Sequence, residues 1–176
     1  FRTVSPENKF AEAAKKKGYY FPDEKDFKVL FERLQKALPI FEFRGELEIT
    51  FYPIPSPSGM IGQAWPGETL DAKRIINVYG IKSSSQMDWI QKVLYVLVHE
   101  ITHGRQSLEK LSQMLFSMQL DGASMYYGDT HIAEYDAVLA NFFYGFPELV
   151  HRFPNGFAVF FSQLLSDDRE TRALFK

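Results

Sequence analysis

At positions 99 to 103 the chain reads His99-Glu100-Ile101-Thr102-His103, the pattern H-E-x-x-H. Four residues of a helix advance about 400°, so the two imidazoles stand on one face one turn apart and can reach one metal ion. Glu100 lies about 100° round from His99, too far for a third ligand but well placed to touch a water on that ion. Two nitrogen donors with an unliganded carboxylate beside them suit zinc-dependent hydrolysis, in which the carboxylate takes a proton from the attacking water. The chain has no cysteine. Disulfides, thiolate catalysis and Cys-based zinc sites are therefore excluded together, and any metal must be held by His, Asp or Glu.

A catalytic zinc keeps three protein ligands and one open position, so a third donor must come from elsewhere in the fold. Glu134 is the first choice, because it lies in a helical stretch after a polar loop and a helix packed on the first could bring its carboxylate to the His pair. His131, one turn earlier on the same face, and Asp136 are the alternatives. Charge developing on a substrate oxygen needs a further donor, for which Tyr126, Tyr127 and His131 are candidates. The expected site thus has His99, His103 and Glu134 around one Zn2+, with Glu100, Tyr127 and His131 as the catalytic set. His151 follows a Gly145 to Pro147 break and is read as a surface residue. The competing reading leaves both motif histidines as exposed helix residues and Glu100 as a solvated charge.

These side chains need a rigid helix beneath them. Ser85 with Asp88 three residues on resembles a capping box, and Trp89, Ile90, Val93, Leu94, Leu97, Val98 and Ile101 follow at helical spacing. The pattern predicts continuation through Leu108, Leu111, Leu115 and Met118, until Asp121 and Gly122 open a loop that ends at Asp129. Helix is expected again from His131 to Tyr144 and from about Phe157 onward, with the Phe-rich tail as core. Upstream, Pro6 to Lys17 and Asp23 to Leu38 read as helices. From Phe41 the period changes to two through Phe43, Leu47, Ile49 and Phe51. Met60 to Trp65 and Arg74 to Tyr79 are further strands, the latter stopped by Gly80. The expectation is one α+β domain over residues 1 to 176, with a small antiparallel or mixed sheet packed on the motif helix, followed by a Glu-bearing helix.

Composition bounds the function. At 176 residues, roughly two thirds of the unfolded surface can be buried, and 45% apolar with 24% charged residues is ordinary for a globular chain. A net charge of −2 without a long Lys/Arg run gives no footprint for nucleic acid or an acidic membrane surface. The apolar run from Val93 to Val98 falls far short of the ~20 residues of a membrane span, so a soluble domain is expected. Phe1 stands where an initiator Met would, which raises the expectation of a piece of a larger polypeptide. The compartment is left unassigned.

The segment Val98-His99-Glu100-Ile101-Thr102-His103 resembles the active-site helix of zincin metallopeptidases, and Glu134-Tyr135-Asp136-Ala137 resembles the E-x-x-A element of their gluzincin-type members. Over roughly residues 41 to 145, the order of strands, motif helix and Glu helix is similar to ImmA/IrrE-like peptidase domains. The resemblance implies a zincin-like fold, His99, His103 and Glu134 as zinc ligands and Glu100 as base. The metzincin extension is absent, since Gln106 stands where that pattern has Gly and Glu109 where it has the third His. Val138 stands where thermolysin-like enzymes carry the Asp that orients the first His, leaving that role unassigned. Gln106 is similar to the glutamine of H-E-x-x-H-x-x-Q domains found inside larger bacterial and phage proteins.

Hydrolysis of a peptide or protein substrate is the expected activity. The alternatives are a catalytically inactive zincin-like module that binds a partner within a larger protein, and a non-peptide hydrolase such as an amidase. An extended substrate is expected to add as a strand to an exposed sheet edge, with Arg74 to Tyr79 as the candidate edge.

Overall fold

A computed structural model of the chain describes residues 2–3, 8–41, 46–65, 73–104, 106, 108–122, 132–145 and 151–167. In chain order the described elements are β1 (Arg2–Thr3), α1 (Asn8–Lys16), α2 (Glu24–Phe41), β2 (Leu47–Phe51), β3 (Gly62–Trp65), β4 (Arg74–Val78), α3 (Gln86–His103), α4 (Leu108–Leu120), α5 (Ile132–Gly145) and α6 (Pro154–Asp167). This is an α+β arrangement with a small mixed sheet, as the alternation of periods predicts.

The sheet runs β1-β2-β4-β3. β2 is parallel to both β1 and β4, while β3 is antiparallel to β4. Ile49 and Phe51 of β2 pair with Ile76 and Val78 of β4, and all four are buried, the two-residue period of a strand with one face on the core. β4 is not an edge, because β2 and β3 flank it and take up its backbone groups on both sides. Its Ile- and Val-rich sequence suits that interior place, and the edge beside α3 falls to the short, small-residue strand β3.

Further upstream, Phe41 does not open a strand but ends α2. The spacing of Leu34, Leu38 and Phe41 continues a helical face, and Pro39 removes only one donor from the last turn. Phe43 lies outside the described residues. The start of α2 is fixed by a reciprocal pair: Asp26 N–H donates to Asp23 Oδ1 at 3.0 Å, and Asp23 N–H donates to Asp26 Oδ2 at 2.8 Å.

Helix α3 runs through the middle of the core. Ser85 caps it, extended at φ −156°, its Oγ accepting from the Asp88 N–H at 3.2 Å. Its stripe of Trp89, Ile90, Val93, Leu94, Leu97, Val98 and Ile101 is buried against Leu30 and Leu34 of α2, the sheet residues, and Tyr135 and Leu139 of α5. Burial of this stripe is what holds the opposite, half-buried face in place. The expected continuation past His103 does not occur, because the chain turns at Gly104, whose N–H caps the Ile101 and Thr102 carbonyls, and α4 begins anew at Leu108. That break lets α4 turn away and pack with α5 and α6.

The last helix begins at Pro154, earlier than expected, with proline at a position where its missing N–H costs nothing. Asp121, just past α4, anchors this start by accepting from Asn155 N–H, Asn155 Nδ2 and Gly156 N–H, and it also takes the Tyr135 hydroxyl at 2.7 Å. Phe157 and Phe160 are buried, in line with the tail as core. Among the described residues no helix is long and apolar enough to cross a membrane.

Candidate metal centre

The site lies where α3 and α5 pack. His99 and His103, one turn apart on α3, present their Nε2 atoms to the same Glu134 carboxylate on α5: His99 Nε2 is 2.8 Å from Oε2, and His103 Nε2 is 3.4 Å from Oε1. One donor atom from each of the three residues lies within 4.8 Å of the others. Glu134 sits in the first turn of α5, so the carboxylate is held by a helix start rather than a loop. Both rings remain partly accessible, 18% and 19% exposed. Two imidazoles and one carboxylate converging on a point with an open side are a donor set that fits zinc.

Electrostatics favour the same reading. Burial pushes the His99 imidazole below its usual range, and the neighbouring His103 pushes it further, against the pull of Glu134. A ring kept neutral is one with a lone pair to give to a metal. Glu100 is half-buried, and burial pushes its carboxyl above the usual range; the nearby His103 and an N–H from Ala64 oppose this, and Glu134 adds to it. A carboxylate whose proton affinity is raised is a better base at neutral pH.

Strand β3 forms the opposite wall. Gly62 lies so close to α3 that a Cβ there would stand 2.6 Å from Val96 Cγ1 and 2.9 Å from Glu100 Oε1. Only a residue without a side chain lets the strand approach Glu100 this closely. Between β3 with residues 58–61, α3 and the start of α5 runs a cleft of about 900 Å³, lined by Met60, Gly62, Ala64, Tyr95 and Asn141 besides the ligands and Glu100.

Around the ligands lies a second layer of polar contacts. His103 Nδ1 is 2.9 Å from Gln106 Oε1, and Gln106 Nε2 donates to the Ala133 carbonyl at 2.7 Å and to Asp136 Oδ2 at 3.0 Å. His99 Nδ1 lies 3.3 Å from Asn141 Nδ2, and Asn141 Oδ1 is buried without a hydrogen-bond partner among the described residues. Turning that amide by half a turn gives the orphaned oxygen the Nδ1–H that a His99 ligating through Nε2 must carry.

His99, Glu100, His103 and Glu134 thus lie together along one cleft. Asp136, an alternative ligand, faces Gln106 instead. Tyr126, Tyr127 and His131 lie outside the described residues, and His151 is exposed. Sequence reasoning missed Asn141, Tyr95 and Gly62. Asn141 is two turns beyond Glu134, so it shares that helix face, and Tyr95 is one turn before His99; both spacings were readable. The closeness of Gly62 to Glu100 had no local signal. Comparison with family models, curated proteins and solved structures gives no match.

Proposed function

We propose that the chain is a zincin-like zinc metallopeptidase that hydrolyses peptide bonds with one Zn2+ held by His99, His103 and Glu134. The observation that carries this is the convergence of those three side chains in an open cleft, with the unliganded Glu100 carboxylate beside them. A purely structural zinc site has no use for such a carboxylate next to an open position.

When bound, the ion supplies a Lewis acid that polarises the scissile carbonyl and makes water acidic enough to react near neutral pH. Glu100 takes one proton from the attacking water as its oxygen bonds to the carbonyl carbon. The same carboxyl then delivers that proton to the departing nitrogen as the C–N bond breaks, leaving an acid and an amine. The Ala64 N–H steadies the Glu100 carboxylate for this exchange.

Substrate is bound in extended form along β3. In the β3–β4 ladder Tyr79 N–H donates to Ile61 O at 2.9 Å, so Ile61 and Gln63 face β4, and the Gly62 backbone groups and the Ala64 carbonyl turn toward the cleft. Met60, Ile61 and Tyr95 are exposed along the same cleft and offer apolar surface to substrate side chains.

Metal content by mass spectrometry tests the centre. About one zinc per chain in the wild type, lost in His103→Ala and Glu134→Ala, is expected; no zinc even after reconstitution would overturn the proposal. Glu100→Gln should keep zinc while peptide hydrolysis falls by orders of magnitude. A zinc-loaded wild type that cleaves no member of a peptide library would point instead to a binding module.

A further inference from the structure

Gln106 belongs to neither the ligand set nor the base, yet its three hydrogen bonds link the end of α3 to the first turn of α5. Resting on the zinc centre above, we infer that Gln106 is a positioning residue that fixes His103 in the Nδ1–H form and so aims its Nε2 lone pair at the metal.

Donors and acceptors around the amide fix its orientation. A glutamine amide has two N–H hydrogens and one acceptor oxygen. Both hydrogens of Gln106 have acceptors in place, the Ala133 carbonyl at 2.7 Å and Asp136 Oδ2 at 3.0 Å. The reverse orientation would set the amide oxygen against a carbonyl and a carboxylate, three acceptors with no hydrogen between them. The orientation is therefore determined, and Oε1 faces His103 Nδ1 at 2.9 Å. An amide oxygen can only accept, so the ring nitrogen opposite it must carry the proton. A neutral imidazole protonated at Nδ1 has its lone pair on Nε2, the atom that lies 3.4 Å from Glu134 Oε1.

The same amide also sets a distance. Ala133 directly precedes Glu134, so a bond from Gln106 to its carbonyl ties the second histidine to the turn that carries the carboxylate. Asp136, buried on that helix, takes the other hydrogen and keeps the amide from rotating. The chain reaches this place only because α3 ends at Gly104; Gln106 N–H then bonds back to the His103 carbonyl at 3.3 Å.

Gln106→Met, similar in length and unable to form these bonds, is the test. In long-range 15N spectra of the zinc-free protein, taken at a pH where the imidazoles are neutral, His103 of the wild type should show the Nδ1–H form. In the variant it should become a mixture of both tautomers, with His99 unchanged. By chelator competition the variant should bind zinc about 10- to 100-fold more weakly, with the fold intact by circular dichroism. Equal zinc affinity in both proteins overturns the role of Gln106 and leaves the zinc centre standing. An Nε2–H His103 in the wild type overturns it as well, and that measurement does not depend on the variant folding. A wild type that binds no zinc removes both inferences. One that binds zinc with the expected drop in the variant, yet cleaves nothing, removes only the peptidase reading.

Discussion

If the absence of a side chain at Gly62 is what lets β3 lie against the helix that carries Glu100, Gly62→Ala should be costly for a reason that a second substitution removes. The added Cβ would stand 2.6 Å from Val96 Cγ1, well inside contact distance. Val96 cannot swing away, since a β-branched side chain in a helix is held to one rotamer. Glu100 Oε1, at 2.9 Å, is the end of a flexible chain and can move. The Gly62 backbone is not in the left-handed region, which among the described glycines is confined to Gly18, Gly59 and Gly122, so alanine is tolerated by the backbone itself. Replacing a strand glycine with alanine stabilises by about 0.5–1 kcal/mol, whereas overpacking costs about 1–3 kcal/mol. The net expectation is a loss of up to about 2.5 kcal/mol, or roughly 2–4 °C in Tm for each kcal/mol at this chain length. In a Val96→Ala background only the Glu100 contacts remain, Oε1 at 2.9 Å and Cγ at 3.1 Å on a flexible side chain, and Gly62→Ala should be close to neutral or stabilising. Urea denaturation of the wild type, both single variants and the double variant gives the coupling, expected at about 1–3 kcal/mol. Agreement of the Gly62→Ala cost in the two backgrounds to within about 0.5 kcal/mol would refute the reasoning.

Other expectations concern the fold and the site. Tyr135→Phe removes the hydroxyl donor to Asp121 and should cost about 1–2 kcal/mol in chemical denaturation. Burial, with the Asp121 hydrogen bond and charge, raises the Tyr135 phenol above its ordinary value of 10.0. Its contribution is therefore full below about pH 10 and lost above it, where the unfolded chain ionises first, by about 1.4 kcal/mol per pH unit. The alkaline fall in stability should be shallower in Tyr135→Phe than in the wild type, and identical slopes would refute the assignment. Zinc at a hundredfold excess over its Kd should raise wild-type stability by about 2.7 kcal/mol and leave Glu134→Ala unchanged, read as a Tm shift. A cleavable peptide N-methylated at alternate residues on one backbone edge should show a raised KM, and one methylated on the other edge should not; equal effects would argue against pairing with β3.

Much of the site was legible because helical spacing is a local property. His99, Glu100 and His103 lie within about one turn, so their common face follows from the helix alone. The apolar stripe from Trp89 to Ile101 fixed which face would be buried. Glu134 could be nominated from its helix and from family resemblance, but Asp136 and His131 remained rivals. The packing of α5 on α3 brings Glu134 to the two Nε2 atoms and turns Asp136 toward Gln106. That choice depends on which side of α5 meets α3, a long-range contact that no local pattern specifies. Strand order was decided in the same way: β4 carries the stronger strand sequence and is taken into the interior, leaving β3 as the edge beside Glu100. Local pattern set which side chains share a face on each element. Long-range packing decided how the elements met, and with it which carboxylate lies beside the two histidines, the polar contacts behind them and the strand lying against Glu100, because those depend on separations in space between residues far apart in the chain.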